Sequence, residues 1–436
     1  MTLRRTLIIL AATFSGLILL LVVAGALFYK LFISPVLAGG EPPPELREAK
    51  VVAGADFLKR SEFYRVGGGS SWLDLLDPEK AKKNFEDIMD VSVGQFDGKE
   101  GTDVVVVGRF GLTVFDTTGK FRERANFKYQ KKGVEVGPLK TENEKDSLFN
   151  MRALDVEGDG VCEVLGYGGL DGVALFDHAG RVVFSRGERA EGKSSIRGVA
   201  AGDVDGDGTQ EFVALWGDEP WEGLELFDRH GQSKWRREER HVNKDFALAD
   251  VNGDGKAEII LEDMTTLTIR DASGEVTSQS ESPVFLWHVG VLPRPERDGP
   301  PQNLAVREGS TWLIDFDGKN WKKFDAPLSH IEPDKSREES TPGAESPFAR
   351  DTEQVYRARG AWVRLKSGRP KYLAVVGQFA ALDRSLLYVY DEQGRLVYHE
   401  ILPETCESAA ALPPGASGAE EFLVGCENTV WRYAAP

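Results

Sequence analysis

From Asp90 to the C-terminus the chain alternates short apolar runs with polar turns. The runs are rich in Val, Ile, Leu and Phe and are bounded by Gly, Asp and Asn, a pattern of strands rather than helices. One turn type recurs. An apolar run ends in Asp and Gly follows three residues later, at Asp116/Gly119, Asp177/Gly180, Asp228/Gly231, Asp271/Gly274 and Asp391/Gly394, with a looser copy at Asp317-Gly318-Lys319. Such steps read as hairpin turns with Gly in a left-handed conformation. One complete unit holds four strands, Phe246 to Asp250, Glu258 to Glu262, Leu267 to Asp271 and Glu275 to Gln279.

The first two strands of three units are joined by an acidic loop. The loops are Asp155 to Glu163, Asp203 to Glu211 and Asp250 to Glu258, at near-equal spacing. In the middle copy Asp203, Asp205 and Asp207 offer carboxylates, Thr209 a carbonyl and Glu211 a closing carboxylate. Hard oxygen donors in a flexible loop suit Ca²⁺ better than Zn²⁺ or Mg²⁺. A single such run reads equally as a solvated acidic turn; three at one period argue for a metal role. An EF-hand loop opens in the same way but needs a Glu at its twelfth position. Those positions hold Gly166, Ala214 and Leu261, and the flanks read as strands.

A four-stranded unit of ~40–50 residues is the signature of a propeller blade. Inner strands are expected near Val91, Met151, Val199, Phe246, Trp287, Ala361 and Ser408. The last unit ends at its third strand, Thr429 to Tyr433, and Ser61 to Val66 is suited to supply the fourth. The expected fold is therefore all-β: a seven-bladed β-propeller of four-stranded blades, its last blade completed by an N-terminal strand, preceded by a single transmembrane helix. Cys406 and Cys426 flank the first hairpin of the last blade, where a disulfide clasp and two separate buried thiols are both open readings.

Apolar strands entering D-x-D-G-D-G-x-x-E loops resemble the FG-GAP/VCBS repeats of integrin-α-type β-propellers, well over 95–275 and as decayed blades over 285–433. The resemblance implies up to three structural Ca²⁺ sites. Their ligands would be Asp155, Glu157, Asp159, Val161 (carbonyl) and Glu163; Asp203, Asp205, Asp207, Thr209 and Glu211; and Asp250, Asn252, Asp254, Lys256 (carbonyl) and Glu258. In the first blade Gln95, Asp97, Lys99 and Asp103 take those places, and the Lys99 ammonium argues against an ion. In the fifth blade Pro293 to Pro301 replaces the acidic loop, and the sixth and seventh blades also lack it.

Upstream, residues 1–5 read as a short cytoplasmic tail, 6–29 as a membrane-spanning signal anchor, 30–56 as a Pro/Gly-rich linker and 57–436 as the propeller. Thr6 to Tyr29 carries no charge and would reach ~36 Å as a helix, enough for a ~30 Å hydrocarbon core. Arg4 and Arg5 before it place the N-terminus in the cytoplasm. Ala24-Gly25-Ala26 could serve as a cleavage site, but the apolar run is long for a signal peptide. Asp77-Pro78-Glu79 opens a short helix to about Phe85.

The net charge of −17 argues against nucleic acid and anionic lipid as partners of the folded part. No N-x-[ST] sequon occurs, which favours a bacterial envelope, periplasmic or extracellular. Three cysteines form no zinc spacing or disulfide scaffold. No G-x-S-x-G, H-E-x-x-H or phosphate-loop motif is present, and the six histidines are scattered; His178 and His230 sit in turns. In a propeller the acidic loops and D-x-x-G turns share one face. The other receives the long connections, Arg124 to Asp146 and Pro327 to Glu353, and the loop bearing Asp218, Glu219 and Trp221. Trp221 between acids suits a sugar ring or a peptide, or simply packs its own loop. The expected function is a protein- or glycan-binding module. The alternatives are a polysaccharide lyase or hydrolase on the same scaffold and a structural subunit of an envelope complex.

Overall fold

The computed structural model describes residues 57–66, 88–96, 101–108, 111–127, 150–157, 159, 161–168, 172–186, 195–217, 222–238, 245–263, 266–281, 290–292, 302–307, 310–315, 321–324, 355–367, 371–379 and 384–436. Every helix or strand among them is a strand. The chain opens with β1 (Lys59–Arg65). Four strands then follow in order, β2 (Ile88–Gly94), β3 (Asp103–Gly108), β4 (Gly111–Asp116) and β5 (Phe121–Asn126). The next four are β6 (Asn150–Leu154), β7 (Glu163–Gly168), β8 (Gly172–Phe176) and β9 (Val182–Arg186). They are followed by β10 (Ser195–Gly202), β11 (Glu211–Gly217), β12 (Gly223–Phe227) and β13 (Ser233–Glu238). After these come β14 (Asp245–Ala249), β15 (Glu258–Asp263), β16 (Thr266–Arg270) and β17 (Val276–Glu281). The fifth set is β18 (Gly290–Leu292), β19 (Gln302–Arg307), β20 (Ser310–Asp315) and β21 (Trp321–Phe324). The sixth is β22 (Val355–Val363), β23 (Tyr372–Phe379), β24 (Arg384–Tyr390) and β25 (Leu396–Ile401). Last come β26 (Cys406–Ala411), β27 (Phe422–Cys426) and β28 (Thr429–Ala434).

These strands form seven four-stranded sheets, six of them sequential hairpin meanders and the last in the order β1-β28-β27-β26. Successive sheets meet mostly through their first strands, with β10 instead reaching β7 and β8 of the sheet before it, and β26 comes back against β2, so the circle closes. This is a β-propeller of four-stranded blades. The burial pattern explains the layering. The middle strands β3, β4, β8, β11 and β12 are almost entirely buried, whereas the outer strands β5, β13 and β17 are mostly exposed. A middle strand meets neighbouring sheets on both faces and so reads as a continuous apolar run, while the rim strand carries charge.

The core is a set of wedges between adjacent sheets rather than one central mass. One wedge joins Leu165, Val173 and Phe184 to Val199, Phe212 and Trp216. Another closes the circle by setting Val66, Leu423 and Val430 against Ile88, Val91 and Val104. The closing strand β1 pairs antiparallel with β28 from Lys59↔Ala434 to Arg65↔Thr429. Arg60 lies over the Trp431 ring at 4.5 Å and pairs with Glu400 of the preceding sheet. Because β1 takes the outermost place, it begins on the face of the acidic loops and ends beside the β27–β28 turn, where the Val66 amide donates to the Asn428 carbonyl.

Several expected boundaries move. The connection expected at Arg124 to Asp146 begins later, because Arg124 and Ala125 are paired in β5. The closing strand starts at Lys59 rather than Ser61. The fourth sheet's last two strands are Thr266–Arg270 and Val276–Glu281, each displaced by a residue or two. The expected spanning segment 6–29, the helix from Asp77, the loop with Asp218, Glu219 and Trp221, and the 327–353 connection lie outside the described residues. Among the described residues no helix is long and apolar enough to cross a membrane.

Cys406 and Cys426 are directly opposite across β26 and β27 and form a disulfide, 20 residues apart in sequence. Of the two sequence readings the clasp is the one observed. A cross-link closing a loop of that size contributes about 3 kcal/mol. Replacing both cysteines by alanine is therefore expected to lower stability by about that much, read as an earlier urea midpoint.

Candidate metal centre

The acidic loops connect β6 to β7, β10 to β11 and β14 to β15, and their described residues share a pattern of hydrogen bonds. The closing glutamate turns back to cap its own loop. Glu163 Oε2 accepts the Val156 amide at 2.9 Å, Glu211 Oε2 that of Val204 at 3.0 Å and Glu258 Oε2 that of Val251 at 2.9 Å. The first aspartate gathers the glycine amides. Asp203 accepts Gly206 N at 2.7 Å and Gly208 N at 2.9 Å; Asp250 accepts Gly253 N at 2.6 Å and Gly255 N at 2.9 Å. The fifth residue holds the amide two places on, Asp159 with Val161, Asp207 with Thr209 and Asp254 with Lys256. Gly206, Gly208, Gly253 and Gly255 have φ between +81° and +89°, a region that penalises any side chain.

The loops are also tied to one another. The Cys162 amide donates to the Gln95 carbonyl, Gln210 to Val156 and Ala257 to Asp203, at 3.0, 2.9 and 2.6 Å. Each acidic loop thus docks on the corresponding loop of the preceding sheet, and a cation there would stiffen a seam between sheets as well as a hairpin.

Electrostatics set a demand for positive charge. Burial pushes the Glu163 carboxyl up to about 7, and Asp159, Glu157 and Asp155 add to it, against the Val156 amide bond. Glu258 is raised for the same reasons, burial first and then Asp254 and Asp250. Asp207 is lowered by the Thr209 hydroxyl and amide. The Cys162 thiol is pushed up to about 11 by burial and by Asp155 and Glu163, so it is not a thiolate nucleophile. The donor set is all oxygen, which fits Ca²⁺.

The three loops differ in one respect. Only at 203–211, among the described residues, do three carboxylates bring oxygens within 4.8 Å of one another, those of Asp203, Asp205 and Glu211. There the Lys234 ammonium bridges Asp205 Oδ2 at 2.8 Å and Glu211 Oε1 at 2.9 Å. Burial opposes its charge, but these bonds raise its pKa overall. At 250–258 the Asn252 side-chain amide reaches Glu258 Oε1 at 2.6 Å and Asp254 Oδ2 at 3.2 Å; a carboxamide can present oxygen or nitrogen to the same place. At 155–163 Arg229, from the next sheet's turn, approaches Glu157 at 3.6 Å. In the first sheet Asp103 occupies the closing position and is held by Arg122 at 2.6 Å.

The sequence reading identified the loops but not Lys234 or Arg122. A signal was present: each stands six residues after the aspartate of a D-x-x-G turn. Trp216, in β11, is fully buried.

No family model matches the chain, and no curated protein matches it. Solved structures of similar fold include BBS1N in complex with ARL6DN, at 10% identity over 80% of this chain and 92% of that one, with TM-scores of 0.47 for the lead-soaked and 0.48 for the mercury-soaked crystals. The WD40 domain of Neurospora crassa Pan2 is 10% identical over 88% of this chain and 97% of its own, with a TM-score of 0.48.

Proposed function

We propose that this protein is a membrane-tethered, extracytoplasmic β-propeller of the FG-GAP/VCBS type, stabilised by Ca²⁺, that binds a protein or glycan through the face opposite its acidic loops. The observation that carries this is the threefold repetition of one loop architecture, with the closing glutamate capping the loop and each loop hydrogen-bonded to its neighbour. Asp155, Glu157, Asp159 and Glu163, Asp203, Asp205, Asp207 and Glu211, and Asp250, Asn252, Asp254 and Glu258 would supply the oxygens, with carbonyls from Val161, Thr209 and Lys256. The ion's part is structural, neutralising carboxylates crowded by burial.

The tether reading is supported by the uncharged run at 6–29 and by the entry of β1 on the acidic-loop face. A bilayer at the end of the linker would then lie on the Ca²⁺ side, leaving the long connections free to meet a partner. The disulfide fits an oxidising compartment.

Extracellular Ca²⁺ modules bind at ~10⁻⁴–10⁻³ M. Near a hundredfold excess over such a constant, each filled site adds about 2.7 kcal/mol. EDTA is therefore expected to lower the melting temperature of the purified protein, and about 10 mM Ca²⁺ to restore it better than Mg²⁺. An EDTA-insensitive melt would end the metal reading. Partner class is tested separately, by crosslinking on the native membrane and by a polysaccharide panel; release of new reducing or unsaturated ends would favour an enzyme instead.

A further inference from the structure

The outer strand of five sheets starts with one residue too many. Opposite consecutive residues of the third strand, β5 inserts Arg122, β9 Val183, β13 Lys234, β17 Thr277 and β25 Val397. A bulge of this kind re-aims its side chain. In two sheets the inserted residue is a cation that lands on the closing acid of its own first hairpin, Arg122 on Asp103 and Lys234 on Glu211. In the two sheets carrying the other acidic loops it is uncharged. Val183 lines a cavity of ≈410 Å³ with Glu157, Asp159 and Glu163, and Thr277 lines one of ≈730 Å³ with Asn252, Asp254 and Glu258.

We propose that the residue at this bulge decides which acidic loops exchange a free divalent cation. Lys234 is a tethered competitor at 203–211, whereas the loops at 155–163 and 250–258, beside Val183 and Thr277, take Ca²⁺ without displacing a side chain of that strand. This rests on the Ca²⁺ reading of the loops. The ammonium contacts one oxygen each of Asp205 and Glu211 at 2.8 and 2.9 Å. Ca²⁺ needs those oxygens at ~2.3–2.6 Å, so ion and ammonium cannot share them. Lys234 is about a third exposed, so it has a path to swing into solvent. Arg229 approaches Glu157, the counterpart of Asp205, at 3.6 Å, a looser contact than either made by Lys234, and it comes from the next sheet's turn rather than from the bulge. Arg122 carries the same device to its limit: a guanidinium on a fully buried aspartate, in a loop that has lost its acidic series.

The test is calorimetric titration of the full-length, metal-stripped protein with Ca²⁺, in wild type, Lys234→Thr and Thr277→Lys. Wild type is expected to fill two sites before a third that is at least tenfold weaker. Lys234→Thr brings the third level with the others; Thr277→Lys removes one strong site. Circular dichroism confirms folding. Without metal Lys234→Thr melts below wild type, and its Ca²⁺-induced gain is larger. Three equal sites in wild type with both variants silent would overturn the gate while leaving the Ca²⁺ reading intact. No Ca²⁺ uptake by any of the three proteins would overturn both.

Discussion

A chain that lacks residues 57–66 will not keep its ring closed. Those residues contain the outer strand of the last sheet, and with it go the pairings from Lys59↔Ala434 to Arg65↔Thr429. Leu58 and Val66, both buried, leave two different wedges. Burying two aliphatic side chains contributes about 3–6 kcal/mol. The Arg60 contacts to Glu400 and Trp431 are lost as well, and Glu400 is left with the Tyr398 and Tyr433 hydroxyls. Beyond the energy, β28 becomes an unpaired edge open to strand addition by another copy. The expected result is an oligomeric or aggregated product by size-exclusion chromatography, rescued to monomer by a synthetic peptide spanning 57–66. A monomeric deletion variant with an unchanged melting curve would refute the closing role of β1.

The second large effect comes from a single methyl group. Gly180 ends the turn between β8 and β9 with φ +71°, and a Cβ there would overlap the Asn126 carbonyl oxygen and lie 2.9 Å from its carbon. Those atoms are backbone of the preceding sheet and cannot rotate aside. Left-handed strain costs an alanine roughly 1–2 kcal/mol, and overpacking adds roughly 1–3 kcal/mol. Gly180→Ala is thus expected to lose about 3 kcal/mol or more. Gly255→Ala is the control. Its φ is +88° and nothing lies within 4 Å of the new Cβ, so only the strain of about 1–2 kcal/mol remains. Urea midpoints of the two variants measure the difference, and equal losses would mean that the approach between sheets carries no energy.

What could be read from the chain alone was whatever repeats. The D-x-x-G turns and the acidic loops are local devices, fixed by backbone demands on Asp and Gly, and they appear where their spacing put them. The circularising role of the segment before the first sheet was legible too, because an unfinished last unit needs a strand and one apolar-polar run stood ready. Strand ends slipped by a residue or two where register shifts insert a residue, as at Arg270/Val276 in the fourth sheet. Lys234 was missed for the same reason. Regular alternation does not say where a bulged side chain points, and its partners Asp205 and Glu211 are far away in sequence. Asp218, Glu219 and Trp221 were named for composition, which does not fix a geometry.

The entry of the chain through the rim strand has a mechanical side. If residues 1–56 are anchored and the far face is held by a partner, tension runs along β1 rather than across it. Every rung between β1 and β28 then takes load together, in shear, whereas a sideways pull would part them one at a time. A wheel fastened in this way resists being drawn off its axle by the same hydrogen bonds that make it round.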